Sequence, residues 1–206
     1  MIKNVVFDIG GVLADYKIKE FLANKGFDEA MIKRILKASI LSPYWGKFER
    51  AELTEEAILK AFASLAPEIE DELYKAYSNV EGMLVIRDFA IPLVKKLKEA
   101  GLNVYYLSNY SKKAYDECGD SLAFMEYIDG GMLSFMVGKT KPDFEMYKLF
   151  LNEYDLKPEE CIFVDDTEEN VVAARELGFN GIVFKTYDDM IKSLREFKIE
   201  IKEEDY

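Results

Sequence analysis

The chain has 206 residues, half apolar and about a third charged, enough for one substantial core with an appended subdomain and too apolar to stay disordered. Acidic residues outnumber basic ones by 39 to 27, and the resulting charge of −12 argues against nucleic acid or an anionic membrane surface as partner, since both are bound through Lys and Arg on phosphates. Histidine is absent, which removes His general bases, Ser-His-Asp triads and His-ligated zinc and leaves carboxylates, lysine, hydroxyls and thiols to carry any chemistry.

The first element is the run Val5-Val6-Phe7-Asp8-Ile9-Gly10-Gly11-Val12-Leu13. Contiguous bulky apolar residues predict a strand buried on both faces of a parallel sheet. Ligands of open α/β sheets bind beyond the carboxyl ends of the strands, so Asp8 falls where a site floor is expected, with glycines allowing close approach. Read alone, Asp8 serves equally well as a turn cap. Residues 15–79 then change character. Ile18, Phe21 and Leu22 have helical spacing; Asp28 caps a helix carrying Ile32, Ile35 and Leu36; Thr54 caps another carrying Ile58, Leu59 and Phe62; Pro67 opens a turn toward Leu73 and Tyr77. No strand is predicted here, only an all-helical insert.

The second half alternates between helix and strand. A helix over 90–100 stops at Gly101, and Asn103-Val104-Tyr105-Tyr106-Leu107 is a strand ending at Ser108. Short helices follow over 111–118 and 121–125, then a weaker strand over 131–135 and a helix capped by Asp143. Cys161-Ile162-Phe163-Val164 runs into Asp165-Asp166, Thr167 is placed to cap the next helix, and Gly181-Ile182-Val183-Phe184 is the last strand. A helix and the acidic tail over 199–206 close the chain. The pattern predicts an α/β, doubly wound, Rossmann-like parallel sheet with an inserted helical subdomain. Cys118 and Cys161 lack CxxC spacing, and Cys161 reads as a buried thiol. No stretch has the length of a membrane span and no signal pattern is visible, so the expectation is a cytoplasmic protein.

Three strands end in polar residues at what should be one edge: Asp8, Ser108-Asn109 and Asp165-Asp166. Adjacent acids repel unless a cation neutralises them, and an oxygen-only cluster suits Mg²⁺ far better than zinc. The alternative makes Asp165-Asp166 a solvated helix N-terminus. Lys141, before Pro142, could bring positive charge to the same edge, although in isolation it reads as a surface lysine. Gly138-Lys139-Thr140 imitates the end of a P-loop, but Leu133 stands where that motif needs its first glycine.

These residues resemble the four signatures of the haloacid dehalogenase-like superfamily, in order. They are Val6-Phe7-Asp8-Ile9-Gly10-Gly11-Val12, then Leu107-Ser108-Asn109, then Lys141-Pro142, then Val164-Asp165-Asp166. Residues 15–81 resemble the helical C1 cap of its subfamily IA, with 1–14 and 82–206 forming the Rossmann-like core. Phe48-Glu49-Arg50-Ala51-Glu52-Leu53-Thr54 is similar to a cap segment of the subgroup that includes bacterial glucose-1-phosphate phosphatases. The resemblance implies phosphoryl transfer from a small phosphorylated substrate through an aspartyl-phosphate. Asp8 would be the nucleophile, Ser108, Asn109 and Lys141 would bind phosphoryl oxygens, and Asp8, the Gly10 carbonyl, Asp165 and Asp166 would serve Mg²⁺, with Asp166 holding metal-bound water or Lys141. Dehalogenation, which needs no metal, fits the acidic pair poorly.

One departure matters. Most phosphatases of this superfamily carry a second Asp two residues after the nucleophile, acting as general acid and then base; Gly10 stands there. Three accounts remain open: another acid, Asp15 or Glu49, substitutes; the leaving group is good enough to need little help, as in a sugar 1-phosphate; or the protein is a weak or silent binder of a phosphorylated ligand. Tyr44, Trp45 and Phe48 read either as packing of the insert or as a platform for a sugar ring, with Arg50 supplying a charge to the substrate.

Overall fold

Every residue of β1 (Asn4–Phe7) is buried, and its side chains alternate between two layers. Val5 and Phe7 join one apolar cluster and Val6 another, as the two-residue period of a strand dictates. The computed structural model describes residues 1–201; the rest of the acidic tail, 202–206, lies outside the described residues.

The strand ends at Phe7, where the apolar run meets Asp8. After Phe7 the chain turns, with Leu13 N and Ala14 N both donating to the Ile9 carbonyl (2.9 and 2.8 Å), so Ile9, Val12 and Leu13 are buried in a loop. A strand therefore follows where none was expected. β2 (Ala14–Tyr16) pairs antiparallel with β3 (Leu84–Ile86), Asp15 opposite Val85, and the Asp15–Arg87 ion pair (2.8 Å) closes this ribbon. Three residues are too few to display alternation, and the partner lies far along the chain. Between the two ribbon strands run α1 (Ile18–Asn24), α2 (Glu29–Ala38), α3 (Trp45–Glu49), α4 (Glu55–Leu65) and α5 (Glu70–Tyr77). The Asp28 and Thr54 side chains cap α2 and α4 by accepting from Met31 N and Ala57 N.

The main sheet adds β4 (Asn103–Ser108), β5 (Gly130–Leu133), β6 (Cys161–Asp165) and β7 (Asn180–Val183), all parallel, in the order β5-β4-β1-β6-β7. α6 (Ala90–Glu99) packs with Val5 and Phe7, whereas α9 (Phe144–Glu153) and α10 (Glu168–Glu176) pack with Val6 on the opposite face. This is the doubly wound arrangement the alternation predicts. Shorter helices α7 (Lys112–Glu117) and α8 (Ser134–Val137) follow β4 and β5, and α11 (Tyr187–Glu196) follows β7. Thr167 occupies the N-cap position of α10, but its side chain makes no capping bond; its backbone N–H donates to Asp165 instead.

β1 is central and the chain leaves it first toward β4 and later toward β6, so connections diverge on its two sides. That is the topological switch point at which crevices form. Register makes the edge common: Phe7 lies opposite Tyr106 and Val164, which places Asp8 level with Asp165 and next to the end of β4. The helical insert sits over this edge. Its apolar side chains, including Leu22, Phe62 and Tyr77, share one cluster with Val5 and Phe7 of the sheet. Lys113 on α7 ties the two parts further, reaching Glu55 of α4 and Glu117 (2.5 and 2.7 Å). No helix among the described residues is long and apolar enough to cross a membrane.

Candidate active site

Asp8 sits just beyond β1, 8% exposed, with one carboxylate oxygen accepting from Ile9 N at 2.8 Å. Lys141 faces it. The Lys141 ammonium lies 2.9 Å from Asp8 Oδ1 and 2.6 Å from Asp165 Oδ2, and it is as buried as they are. A loop lysine becomes buried here because its backbone is clamped to the end of β4. Lys141 N donates to Asn109 Oδ1 (2.8 Å) and Asn109 Nδ2 donates to Lys141 O (3.0 Å). Taken alone, Lys141 reads as a surface lysine; the clamp, formed across 32 positions of sequence, corrects that reading. It also means that Asn109 uses its amide to position Lys141.

Asp165 has no exposed surface and is fixed from three sides: it accepts from Lys141 Nζ, Thr167 N (2.8 Å) and Asn170 Nδ2 (3.1 Å to each oxygen). Asn170, on the first turn of α10, is a site residue that sequence reasoning missed. Its only signal is helical placement behind Asp165. Asp166 is exposed, and Lys141 pairs with Asp8 and Asp165 rather than with Asp166, contrary to the expectation that Asp166 holds it. Ser108 is buried beside Asp8; its hydroxyl is directed to the Asn109 carbonyl at 3.5 Å, and its proximity to the carboxylate favours the charged form of Asp8.

Charge balance decides what this cluster can take. Burial pushes Asp8 up to about 6; Lys141 opposes that rise, and Asp165 adds to it. Burial disfavours the charge on Lys141, but Asp8 and Asp165 outweigh it and hold the ammonium above the ordinary lysine range. Burial and the neighbouring Asp165 raise Asp166. Three carboxylates against one ammonium leave a net negative site. One oxygen from each of Asp8, Asp165 and Asp166 lies within 4.8 Å of the others, with no thiolate or imidazole in the set. Such a hard, all-oxygen donor set fits Mg²⁺. Gly11 belongs to the same construction. At φ +78° it is in the left-handed region, and a Cβ there would lie 2.2 Å from the Asp166 carboxylate, so any side chain is strained and pushes Asp166 aside.

Above the cluster is a cavity of about 310 Å³. Asp8, Gly10, Ser108, Lys141 and Asp166 line its floor, while Tyr16, Ile40, Trp45, Met83, Leu84 and Tyr110 give it a largely apolar wall. The ribbon contributes Tyr16 and Leu84, which is why sequence reasoning without the ribbon missed them. Trp45 packs against Phe48 and Phe62 (5.5 and 6.3 Å between rings) and also lines the cavity, whereas Phe48 is buried. Glu49 lines the cavity as well. Arg50, expected to face the substrate, does not line it. Its guanidinium is bound to Glu52 (2.6 Å) and directed to Thr140 of the sheet domain (3.4 Å), so it ties insert to core. Asp15 does not line it either, and is held by Arg87 at the ribbon.

The family model described as haloacid dehalogenase-like hydrolase matches residues 2–178. A sesquiterpene phosphatase of Aspergillus oryzae is 29% identical over 87% of this chain and 88% of its own. A D-ribitol-5-phosphate phosphatase of Bacteroides thetaiotaomicron is 27% identical over 87% and 90%. Among solved structures, a haloacid dehalogenase-family enzyme of the same bacterium, in complex with magnesium and inorganic phosphate, superposes with a TM-score of 0.70. It is 22% identical and is covered over 92% of this chain and 99% of its own.

Proposed function

Because the chain belongs to the haloacid dehalogenase-like hydrolases, we propose that it is a Mg²⁺-dependent phosphatase that cleaves a small phosphorylated metabolite through an aspartyl-phosphate on Asp8. One observation carries this reading: at the floor of a single cavity, the Asp8 carboxylate lies against the Lys141 ammonium, with Asp165 and Asp166 within metal-sharing distance. Nucleophile, phosphate-binding cation and metal ligands thus meet where a phosphoryl group can enter. The similarity to two phosphatases points the same way.

Asp8 attacks phosphorus, and splitting hydrolysis into two displacements is the gain of covalent catalysis. Lys141 and the Ser108 hydroxyl stabilise the phosphoryl oxygens as charge shifts onto them. Mg²⁺ would be held by Asp8, Asp165, Asp166 and the Gly10 carbonyl, and when bound it supplies the positive charge that offsets repulsion between Asp8 and the phosphate. The insert over the cavity limits substrate size and excludes water. The apolar wall of Ile40, Trp45, Met83 and Leu84 favours a leaving group with an apolar face over a fully hydroxylated sugar.

The test is phosphate release from a panel of sugar, alkyl and aryl phosphates with Mg²⁺ and with EDTA. Release with Mg²⁺ that EDTA abolishes is the expected result. The Gly10 substitution favours a second reading, a silent binder of phosphorylated ligands. No turnover of any ester, together with a Mg²⁺- or phosphate-dependent rise in melting temperature, would establish that reading instead. Gly11→Ala provides a separate check. By displacing Asp166 it is expected to raise the Mg²⁺ concentration needed for half-maximal release by about 10–100-fold, the usual cost of disturbing groups around a metal. An unchanged Mg²⁺ requirement would remove Asp166 from the metal site.

A further inference from the structure

A phosphomonoester leaving as an alkoxide needs a proton, and the turn after Asp8 has none to give, because Gly10 carries no side chain. The other polar groups of the cavity floor are committed. Lys141 is shared between two carboxylates, Asn109 is used in the clamp on Lys141, and Asp166 belongs to the acidic cluster. Among the described residues lining the cavity, Glu49 is the one carboxyl outside that cluster.

Its position is fixed from two sides. One carboxylate oxygen accepts from Trp45 Nε1 at 3.0 Å, one turn back on α3. The Glu49 carbonyl accepts from the Ser134 hydroxyl (2.6 Å), and Ser134, fully buried in the sheet domain, also accepts from Tyr110 N (2.9 Å). Glu49 therefore belongs to the insert by sequence but is pinned to the core at the wall of the cavity. No hydrogen bond among the described residues engages its second oxygen. Its protonation suits proton exchange: burial pushes the carboxyl up to about 7, the Trp45 bond lowers it, Asp8 raises it, and Lys141 and Arg50 lower it. A general acid–base works best with such a value near the operating pH.

We propose that Glu49 is the general acid–base of this site, doing from the insert what the residue at position 10 cannot. The inference rests on the phosphatase reading. As the Asp8 oxygen forms its bond to phosphorus and the bond to the leaving oxygen breaks, the Glu49 carboxyl gives its proton to that oxygen, releasing the alcohol. The Glu49 carboxylate then takes a proton from water while the water oxygen bonds to phosphorus. Cleavage of the phosphorus–Asp8 bond returns Asp8 as a carboxylate, frees inorganic phosphate and leaves Glu49 protonated.

Glu49→Gln tests this, because the amide oxygen can still accept from Trp45 but the side chain cannot exchange a proton. With glycerol phosphate, whose alkoxide is a poor leaving group, kcat/KM is expected to fall about 10²–10⁴-fold. With para-nitrophenyl phosphate, which leaves without a proton, the first-turnover burst of nitrophenolate should keep its native rate while steady-state turnover slows, because the second displacement still lacks its base. Glu49→Asp should recover part of the alkyl-ester rate, and it serves the same comparison should the amide variant not fold. A first turnover slowed equally for both esters, or for neither, overturns the role of Glu49 and leaves the phosphatase reading standing. Absence of release from either ester by the native protein overturns both.

Discussion

Asp8→Asn is expected to abolish phosphate release, by on the order of 10⁴–10⁶-fold, the scale seen when a covalent nucleophile is removed, while leaving the fold intact. The amide keeps the size of the carboxylate, and its oxygen can still accept from Ile9 N, which now donates at 2.8 Å. Burial already pushes the Asp8 carboxyl up to about 6, so the protein holds this charge against a desolvation cost that the neutral amide does not carry. The melting temperature should therefore change by no more than about 4 °C, corresponding to roughly 1 kcal/mol in a chain of this size. Lys141 retains Asp165 at 2.6 Å in the variant, so its charge stays paired. Measuring phosphate release and thermal unfolding on one preparation separates the outcomes. Loss of activity with a native melting curve is expected; substantial residual turnover would remove Asp8 from the chemistry.

Lys141→Met should have the largest effect on stability. The ammonium is 4% exposed and is the only charge-compensating side chain hydrogen-bonded to both Asp8 and Asp165 among the described residues. Removing one partner of a buried ion pair leaves an uncompensated charge and costs about 3–5 kcal/mol, which lowers the melting temperature by about 6–20 °C. Mg²⁺ should recover part of this loss, because a cation bound to the folded state stabilises it by mass action. Losing a group that stabilises the phosphoryl oxygens should also lower kcat by at least about 10²-fold. A melting temperature unchanged by the substitution would mean that Asp8 and Asp165 do not depend on Lys141 for their charge.

The three strand-end motifs are legible because strands buried on both faces must be written as contiguous apolar residues, so the polar residue ending each run stands out. Asp8, Ser108 and Asp165 are therefore readable, and parallel pairing through Phe7, Tyr106 and Val164 brings them together. Features that depend on distant partners are less legible. The ribbon of β2 and β3 has three residues on each side, and no local pattern marks it. The burial of Lys141 depends on Asn109, and the direction of Arg50 depends on Glu52 and Thr140; neither a loop lysine nor a helix-end arginine announces its partner. Glu49 stands out in sequence only through the glycine at position 10, whose missing carboxyl raises the question of a substitute acid. Asp15 satisfies the same requirement on paper; the structure pairs it with Arg87 at the ribbon, whereas Glu49 lines the cavity.

The central claim is a covalent phosphoryl group on Asp8, and a single-turnover acid quench tests it most directly. Excess enzyme with Mg²⁺ would be mixed with a radiolabelled phosphoester and stopped at millisecond intervals, and the chain digested and mapped. The account predicts label on the peptide containing Asp8, rising before free phosphate appears and then decaying into it, with none in Asp8→Asn. Free phosphate released without a lag, and no label on the chain at any time, would contradict it.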